Sequence, residues 1–284
     1  MSAKFGPAGS SVEYTATHKS SLQAPAWLKE LGLDCWEYQC GKGVNVGEET
    51  AQKIGEHAHA AGIALSLHAP YFINLANEET VDKTAGYVLA ACQAADWMGA
   101  KRVVIHTGAL MKRTRPQAME VARRVLPQVI RRCDEAGFGH ITLCPETMGK
   151  INQLGDLDEV LDLCTLDARL LPCVDFGHLY ARSLGAEEGL EATVSMLDRM
   201  EAVLGVERAS VFHSHFSKIE FTVKGGEKCH RTFEDNGGFG PDPAPLMTEI
   251  ARRGWSPTII CESAGTQDRD ALAMKRMYES AKAR

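Results

Sequence analysis

The 284-residue chain is 44% apolar and 24% charged, ordinary values for a globular domain of the longer α/β kind. No run nears the roughly 18 consecutive apolar residues of a membrane span, and Met1-Ser2-Ala3-Lys4-Phe5-Gly6 has no basic region followed by an apolar one, so neither membrane insertion nor a secretory leader is expected. A net charge of −6 speaks against a protein that coats nucleic acid, though not against one that grips it locally, and nine cysteines without a Cys-x-x-Cys pair read as reduced thiols of a cytoplasmic protein.

In chain order, Lys4 to Gly9 reads as a first strand, Ala24 to Leu31 as a helix and Cys35 to Gln39 as a second strand. An amphipathic helix follows over Glu48 to Ala61, opening with the acidic residues that its N-terminal dipole favours. Strand three is Ile63 to His68, with a helix over Glu79 to Met98. Strand four is Arg102 to His106, with a helix over Pro116 to Ala136. Ile141 to Glu146 and Arg169 to Asp175 are strands five and six, followed by helices over Leu157 to Leu163 and Glu187 to Leu204. Strand seven is read as Ser210 to His213, and a long loop as Phe216 to Pro243. A helix over Ala244 to Arg253, an eighth strand over Thr258 to Glu262 and a helix over Asp268 to Ala283 close the chain. Strict alternation of apolar strands with helices predicts a parallel sheet. Eight such units predict a single-domain (β/α)8 barrel over 1–284, a TIM barrel with its site at the C-terminal ends of the strands. An open doubly wound sheet is the alternative, but no G-x-G-x-x-G follows the first strand.

The chemistry lies in the residues that end those strands. Strands three to eight end, in order, at His68, His106, Glu146, Asp175, His213 and Glu262, with His178 three residues after Asp175. One His or Glu at a strand end is ordinarily a cap or a satisfied hydrogen-bond partner. Six at one rim are a different matter. Three carboxylates packed together repel strongly at low dielectric unless cations sit among them. Neutral imidazoles beside them complete an N/O ligand set for zinc, with manganese or iron as alternatives. The donors exceed what one tetrahedral ion needs, so two or three ions with a shared carboxylate are expected. Such clusters suit in-line displacement at phosphate. Basic residues cluster in the loops after strands, with Lys112-Arg113-Thr114-Arg115 the best placed for phosphate contact.

Taken in order, His68-Ala69-Pro70-Tyr71-Phe72-Ile73-Asn74-Leu75, Val104-Ile105-His106-Thr107-Gly108, Glu146-Thr147-Met148-Gly149, Asp175-Phe176-Gly177-His178, His213 with Lys218 five residues on, and Cys261-Glu262-Ser263 resemble the endonuclease IV family of apurinic/apyrimidinic endonucleases. The resemblance implies a zinc-dependent barrel that cleaves double-stranded DNA 5′ to an abasic site and leaves a 3′-hydroxyl, as a monomer in base excision repair. It implies a first ion on His68, His106 and Glu146. Glu146 would bridge to a second completed by Asp175, His213 and Glu262, and His178 and His230 would hold a third. Glu146 is then the catalytic group that orients the attacking nucleophile. Tyr71 and Phe72 take the place of residues inserted into the duplex, where a ring replaces base stacking. Lys112, Arg113, Lys218 and Lys228 are the expected DNA contacts.

Two departures stand out. The family's third ion also uses an aspartate two positions before the histidine, and in Glu227-Lys228-Cys229-His230 that position is Lys228. Either Glu227, Glu234 or Asp235 rebuilds the site, or it stays empty or weak, or the Lys228 ammonium supplies the charge. The loop Cys40-Gly41-Lys42-Gly43-Val44 also lacks the family's basic DNA-penetrating segment, leaving Lys42 as its substitute. Two other functions compete: a metal-dependent sugar isomerase or epimerase on a barrel like that of xylose isomerase, and a barrel that binds lesions without cutting.

Overall fold

A computed structural model describes residues 2–283. β1 (Lys4–Pro7) leads through α1 (Val12–Thr17) and α2 (Ala24–Leu31) to β2 (Cys35–Gln39), α3 (Glu48–Ala61) and β3 (Ala64–His68). α4 (Val81–Met98), β4 (Arg102–His106), α5 (Arg115–Glu135), β5 (Thr142–Glu146) and α6 (Leu157–Cys164) follow. β6 (Cys173–Asp175) runs directly into α7 (Phe176–Arg182), then α8 (Gly189–Leu204), α9 (Val206–Ala209) and β7 (His213–Phe216). A hairpin of β8 (Lys218–Thr222) and β9 (Gly226–Arg231) precedes α10 (Ala244–Arg253), β10 (Thr258–Cys261) and α11 (Gln267–Lys282).

Eight strands form one parallel sheet in the order β1-β10-β7-β6-β5-β4-β3-β2, the expected barrel. A parallel bridge between Ala8 and Glu37 brings its two edges together. That closure depends on Gly6, where a Cβ would lie 1.7 Å from the Cys35 carbonyl oxygen. The strands are apolar because both faces are covered: Val103, Val104 and Ile105 of β4 are fully buried. The main core lies between strands and helices, and a small cluster of Val104, Cys144 and Cys173 fills the barrel interior. Helices start and stop where local chemistry dictates. α6 opens on a capping box of Asp156 and Glu159, and α3 and α4 end at Gly62 and Gly99 in the left-handed conformation. No described helix is long and apolar enough to cross a membrane, and all nine cysteines are unpaired.

Two expectations are corrected. Strand seven does not end at His213 but begins there and runs to Phe216. The run from Phe216 to Pro243 is not all loop, because it carries the antiparallel β8–β9 hairpin. That hairpin straps down the rim of the barrel: the Glu227 amide donates to the Gly149 carbonyl (3.1 Å) and the Ile151 amide to that of Gly225 (3.2 Å).

Candidate metal centre

Alternation along the strands decides which side chains enter the barrel. His68 ends β3, His106 ends β4, Glu146 ends β5 and Asp175 ends β6, while Glu262 follows β10 by one residue. All five converge at the C-terminal mouth. All but the fully buried Asp175 line, with Tyr71, His178, Glu227 and His230 among others, a cavity of about 400 Å³. A larger hollow of about 770 Å³ lies at the opposite end, walled by strand starts such as Lys4, Ala64, Arg102 and Thr258. Barrel enzymes do their chemistry at the other face, so the smaller cavity is the site.

Glu146 is the hub. Its Oε2 lies 3.3 Å from His68 Nε2 and 3.2 Å from His106 Nε2. Its Oε1 lies 2.9 Å from His215 Nδ1 and 3.7 Å from His178 Nδ1. One carboxylate thus turns a separate oxygen toward each of two groups of imidazoles. Donor atoms of Glu146, Asp175, His178 and Glu262 lie within 4.8 Å of one another, as do those of His68, His106 and Glu146, of His68, His215 and Glu262, and of His178, His230 and Glu262.

His213 is not among these rim residues, and this is the third correction. Two residues before His215 on the same inward face, it sits one layer deeper, in register with Cys173 rather than Asp175. There its Nε2 donates to Glu37 Oε2 at 2.9 Å. The rim position belongs to His215, 2.9 Å from Glu146 and 3.6 Å from Glu262. The sequence placed His215 two residues beyond the strand and assigned it nothing.

Glu37 was also missed. It is a fully buried carboxylate on β2 that accepts hydrogen bonds from Ser66 Oγ (2.9 Å), Gln39 Nε2 (3.0 Å) and His213. Its Oε1 lies 2.9 Å from His215 Nε2, off the line of a good hydrogen bond. The signal was present: a carboxylate in the middle of a strand destined for burial.

Each rim imidazole except His106 and His215 is held on one nitrogen by a hydrogen bond and turns the other to the cluster. His68 Nδ1 donates to the Ala69 carbonyl at 2.7 Å, His178 Nδ1 to that of Thr147 at 2.9 Å, and His230 Nδ1 pairs with Ser217 Oγ at 2.8 Å. His215 Nε2 faces Glu37. This is how proteins orient histidines that ligate metals. The electrostatics agree. Burial pushes the Glu146 carboxyl up, but the His215 charge and hydrogen bonds from His106, His215 and His68 outweigh it and hold it well below the carboxylate range. Burial raises Asp175 against the opposing pull of His178, and its Oδ2 is fully buried with no hydrogen-bond partner. Burial disfavours charge on His68 and His178, yet Glu146 and Asp175 lift them to about 9. Without a cation, protons supply the missing positive charge. A divalent ion on the same donors would replace them and satisfy Asp175. The residues present fit such ions.

The expected DNA contacts divide. Tyr71 and Phe72 are 45% and 51% exposed over the mouth, their ring centroids 5.1 Å apart. Lys112 is exposed. Arg113, by contrast, donates to the Ala76 carbonyl (3.2 Å), and the Lys218 ammonium to those of Phe233 (2.7 Å) and Asp235 (3.4 Å). Lys228 pairs with Glu220. Those three charges hold loops in place.

A family model described as a xylose isomerase-like TIM barrel matches residues 25–280. An uncharacterized protein of Methanocaldococcus jannaschii is 32% identical over 96% of both chains. A protein of Oceanobacillus iheyensis named as a probable endonuclease 4 is 26% identical over 65% of this chain, and the match spans only 61% of that relative's length. Among solved structures, endonuclease IV from Thermus thermophilus aligns with a TM-score of 0.68 at 18% identity over 98% of this chain and 100% of its own. A D-tagatose 3-epimerase-like protein aligns with 0.69 at 18% identity over 98% and 96%. The structural likenesses establish the fold alone, and the Oceanobacillus iheyensis relative stands in line with the resemblance drawn from the motifs. With these matches added to eight parallel strands and a rim of histidines and carboxylates, the chain belongs to the xylose isomerase-like TIM barrel family.

Proposed function

We propose that this protein is a metal-dependent endonuclease of the endonuclease IV type, which hydrolyses the DNA phosphodiester 5′ to an abasic site and leaves a 3′-hydroxyl. The observation that carries the reading is the divided Glu146 carboxylate. One of its oxygens faces His68 and His106, and the other faces His215. A barrel that moves a proton on a sugar needs only one or two ions, and Glu146, Asp175, His215 and Glu262 suffice to hold one. His68 and His106 are surplus to that one, and they are what a second ion opposite the first requires.

Glu146, Asp175, His215 and Glu262 would hold one ion, and His68, His106 and the other oxygen of Glu146 a second. Zinc, manganese and iron all suit the donor set. Bound there, the ions supply a polarised water and neutralise charge on the phosphate oxygens. Glu146, with both oxygens at the centre, orients the attacking water. His68 and His178, tied to backbone carbonyls, keep their rings fixed while charge develops. Tyr71 and Phe72 stand where an aromatic would fill the gap left by a missing base, and Gly41 leaves room for Tyr71, whose ring comes within 3.0 Å of where a Cβ would be.

The test is incision of a duplex carrying one tetrahydrofuran abasic analogue, with zinc, manganese or iron supplied. A single nick 5′ to the analogue with a 3′-hydroxyl is expected, and Glu146→Gln should abolish it while a cooperative melting transition shows that the variant still folds. No nick with any metal, together with turnover of a ketose or aldose, would establish the epimerase reading instead. That second reading draws on the internal use of Arg113, Lys218 and Lys228 and on the net charge of −6.

A further inference from the structure

The position that carries an aspartate in the endonuclease IV pattern is Lys228 here, and its ammonium is turned outward onto Glu220, beside Arg231. A regular β9 would also place Glu227 and His230 on opposite faces, because they are three residues apart. The hairpin is not regular. Ile219 pairs with His230, Glu220 with Cys229, and then Phe221 with Glu227, so Lys228 is an extra residue with no partner on β8. Such a bulge shifts the alternation by one. Glu227 and His230 therefore share the face of Ile219 and Phe221, while Lys228 joins the outer face.

The result is a set of three donors at the edge of the cavity. Glu227 Oε2 lies 3.6 Å from His178 Nε2 and its Oε1 4.0 Å from His230 Nε2. Both imidazoles are held at Nδ1, by the Thr147 carbonyl and Ser217 Oγ, which leaves Nε2 directed at Glu227. For His178 this settles which way it ligates: the nitrogen nearer Glu146 and Asp175 is the one already spent on Thr147. The neighbouring backbone makes room. A Cβ on Gly149 would sit 2.7 Å from Glu227 Cβ and 3.0 Å from His178 Cδ2. Glu262 also comes within 4.8 Å of donor atoms of His178 and His230, but it belongs equally to the group of Glu146 and Asp175; the remaining nearby carboxylates do not compete. Asp235 Oδ2 accepts from the Thr232 amide at 2.9 Å, and Glu234 is exposed on the surface.

We propose that Glu227, delivered by the bulge at Lys228, is a metal ligand, and that with His178 and His230 it holds a divalent cation apart from the ions on Glu146. This deepens the endonuclease reading and rests on it for the ion's role, but its test does not use activity. The protein is dialysed against micromolar zinc and its bound metal counted by plasma mass spectrometry. The wild type should carry three equivalents. Glu227→Gln should carry two, the third ion bound more than roughly 100-fold more weakly, since even losing a partner that orients a ligand costs 10–100-fold. Gly149→Ala, which would crowd Glu227 and the His178 ring while leaving every donor in the sequence, should weaken the same ion, and Lys228→Ala should keep all three. Melting curves of the zinc-free variants check that each folds. Two equivalents in the wild type, three in Glu227→Gln, or loss of the third ion in Lys228→Ala would each overturn the assignment. Three equivalents in a protein that nicks no abasic duplex would uphold this site and sink the endonuclease reading.

Discussion

The fate of a single buried carboxylate sets how tightly the centre is built. Glu37 contacts no cavity, yet it receives donors from Ser66, Gln39 and His213 and stands 2.9 Å from the back of His215. Burial alone would raise its carboxyl, but the His215 charge and the two imidazole contacts hold it well below the carboxylate range. It stays ionised and fixes which His215 nitrogen is free to ligate. Glu37→Gln keeps the volume and removes the charge. It should weaken binding of the ion on His215 by roughly 10–100-fold, as loss of a ligand's orienting partner does, with much less change in the melting of the metal-free protein. Titration with zinc against a chelating dye reads this directly, and an unchanged affinity would reduce Glu37 to a packing residue. Neither Glu37 nor His215 was read as part of the centre from sequence, although Glu37 stood in the middle of a strand destined for burial. His213 follows an apolar pair, Val211-Phe212, and looks like the end of a strand. Those two residues instead precede the strand, whose inward positions are His213 and His215.

Among the elements, legibility followed hydrophobic patterning. β2, β4, α2, α3 and α10 have the boundaries read from the sequence because their apolar residues repeat with one clear period and their ends carry glycine or acidic signals. β9 was invisible because its only apolar residue is Cys229, although Gly225-Gly226 after the alternating Lys218-Ile219-Glu220-Phe221 was a hairpin signal. Closure of the barrel hangs on β1 and its neighbour β2. At Gly6 the nearest obstacle to a side chain is backbone, the Cys35 carbonyl, which cannot swing aside. Gly6→Ala should therefore part β1 from β2 and cost about 3 kcal/mol or more, the upper range for overpacking a core. Urea unfolding measures it. A loss under about 1 kcal/mol would mean that the edge of the sheet yields freely.

Across the whole molecule, β3, β4, β5, β6, β7 and the residue after β10 each send a donor to one rim, so the cations bound there would tie six of the eight strands together. Without them, carboxylates of Glu146, Asp175 and Glu262 stand within 4.8 Å of one another and would repel strongly in a medium that screens poorly. The chain carries its own partial remedy, because His68 and His178 take up protons and return positive charge to the cluster. The metal-free barrel should therefore stay folded but melt earlier. A ligand bound only to the native state at 100 times its Kd adds about 2.7 kcal/mol. In a protein of this size each kcal/mol moves the midpoint by roughly 2–4 °C. Stripping the ions with EDTA should then lower Tm by roughly 5–10 °C, and returning zinc should restore it. Calorimetry with and without chelator is the measurement. An unchanged midpoint would mean that the rim binds no ion tightly, and the metal centre would lose its thermodynamic ground.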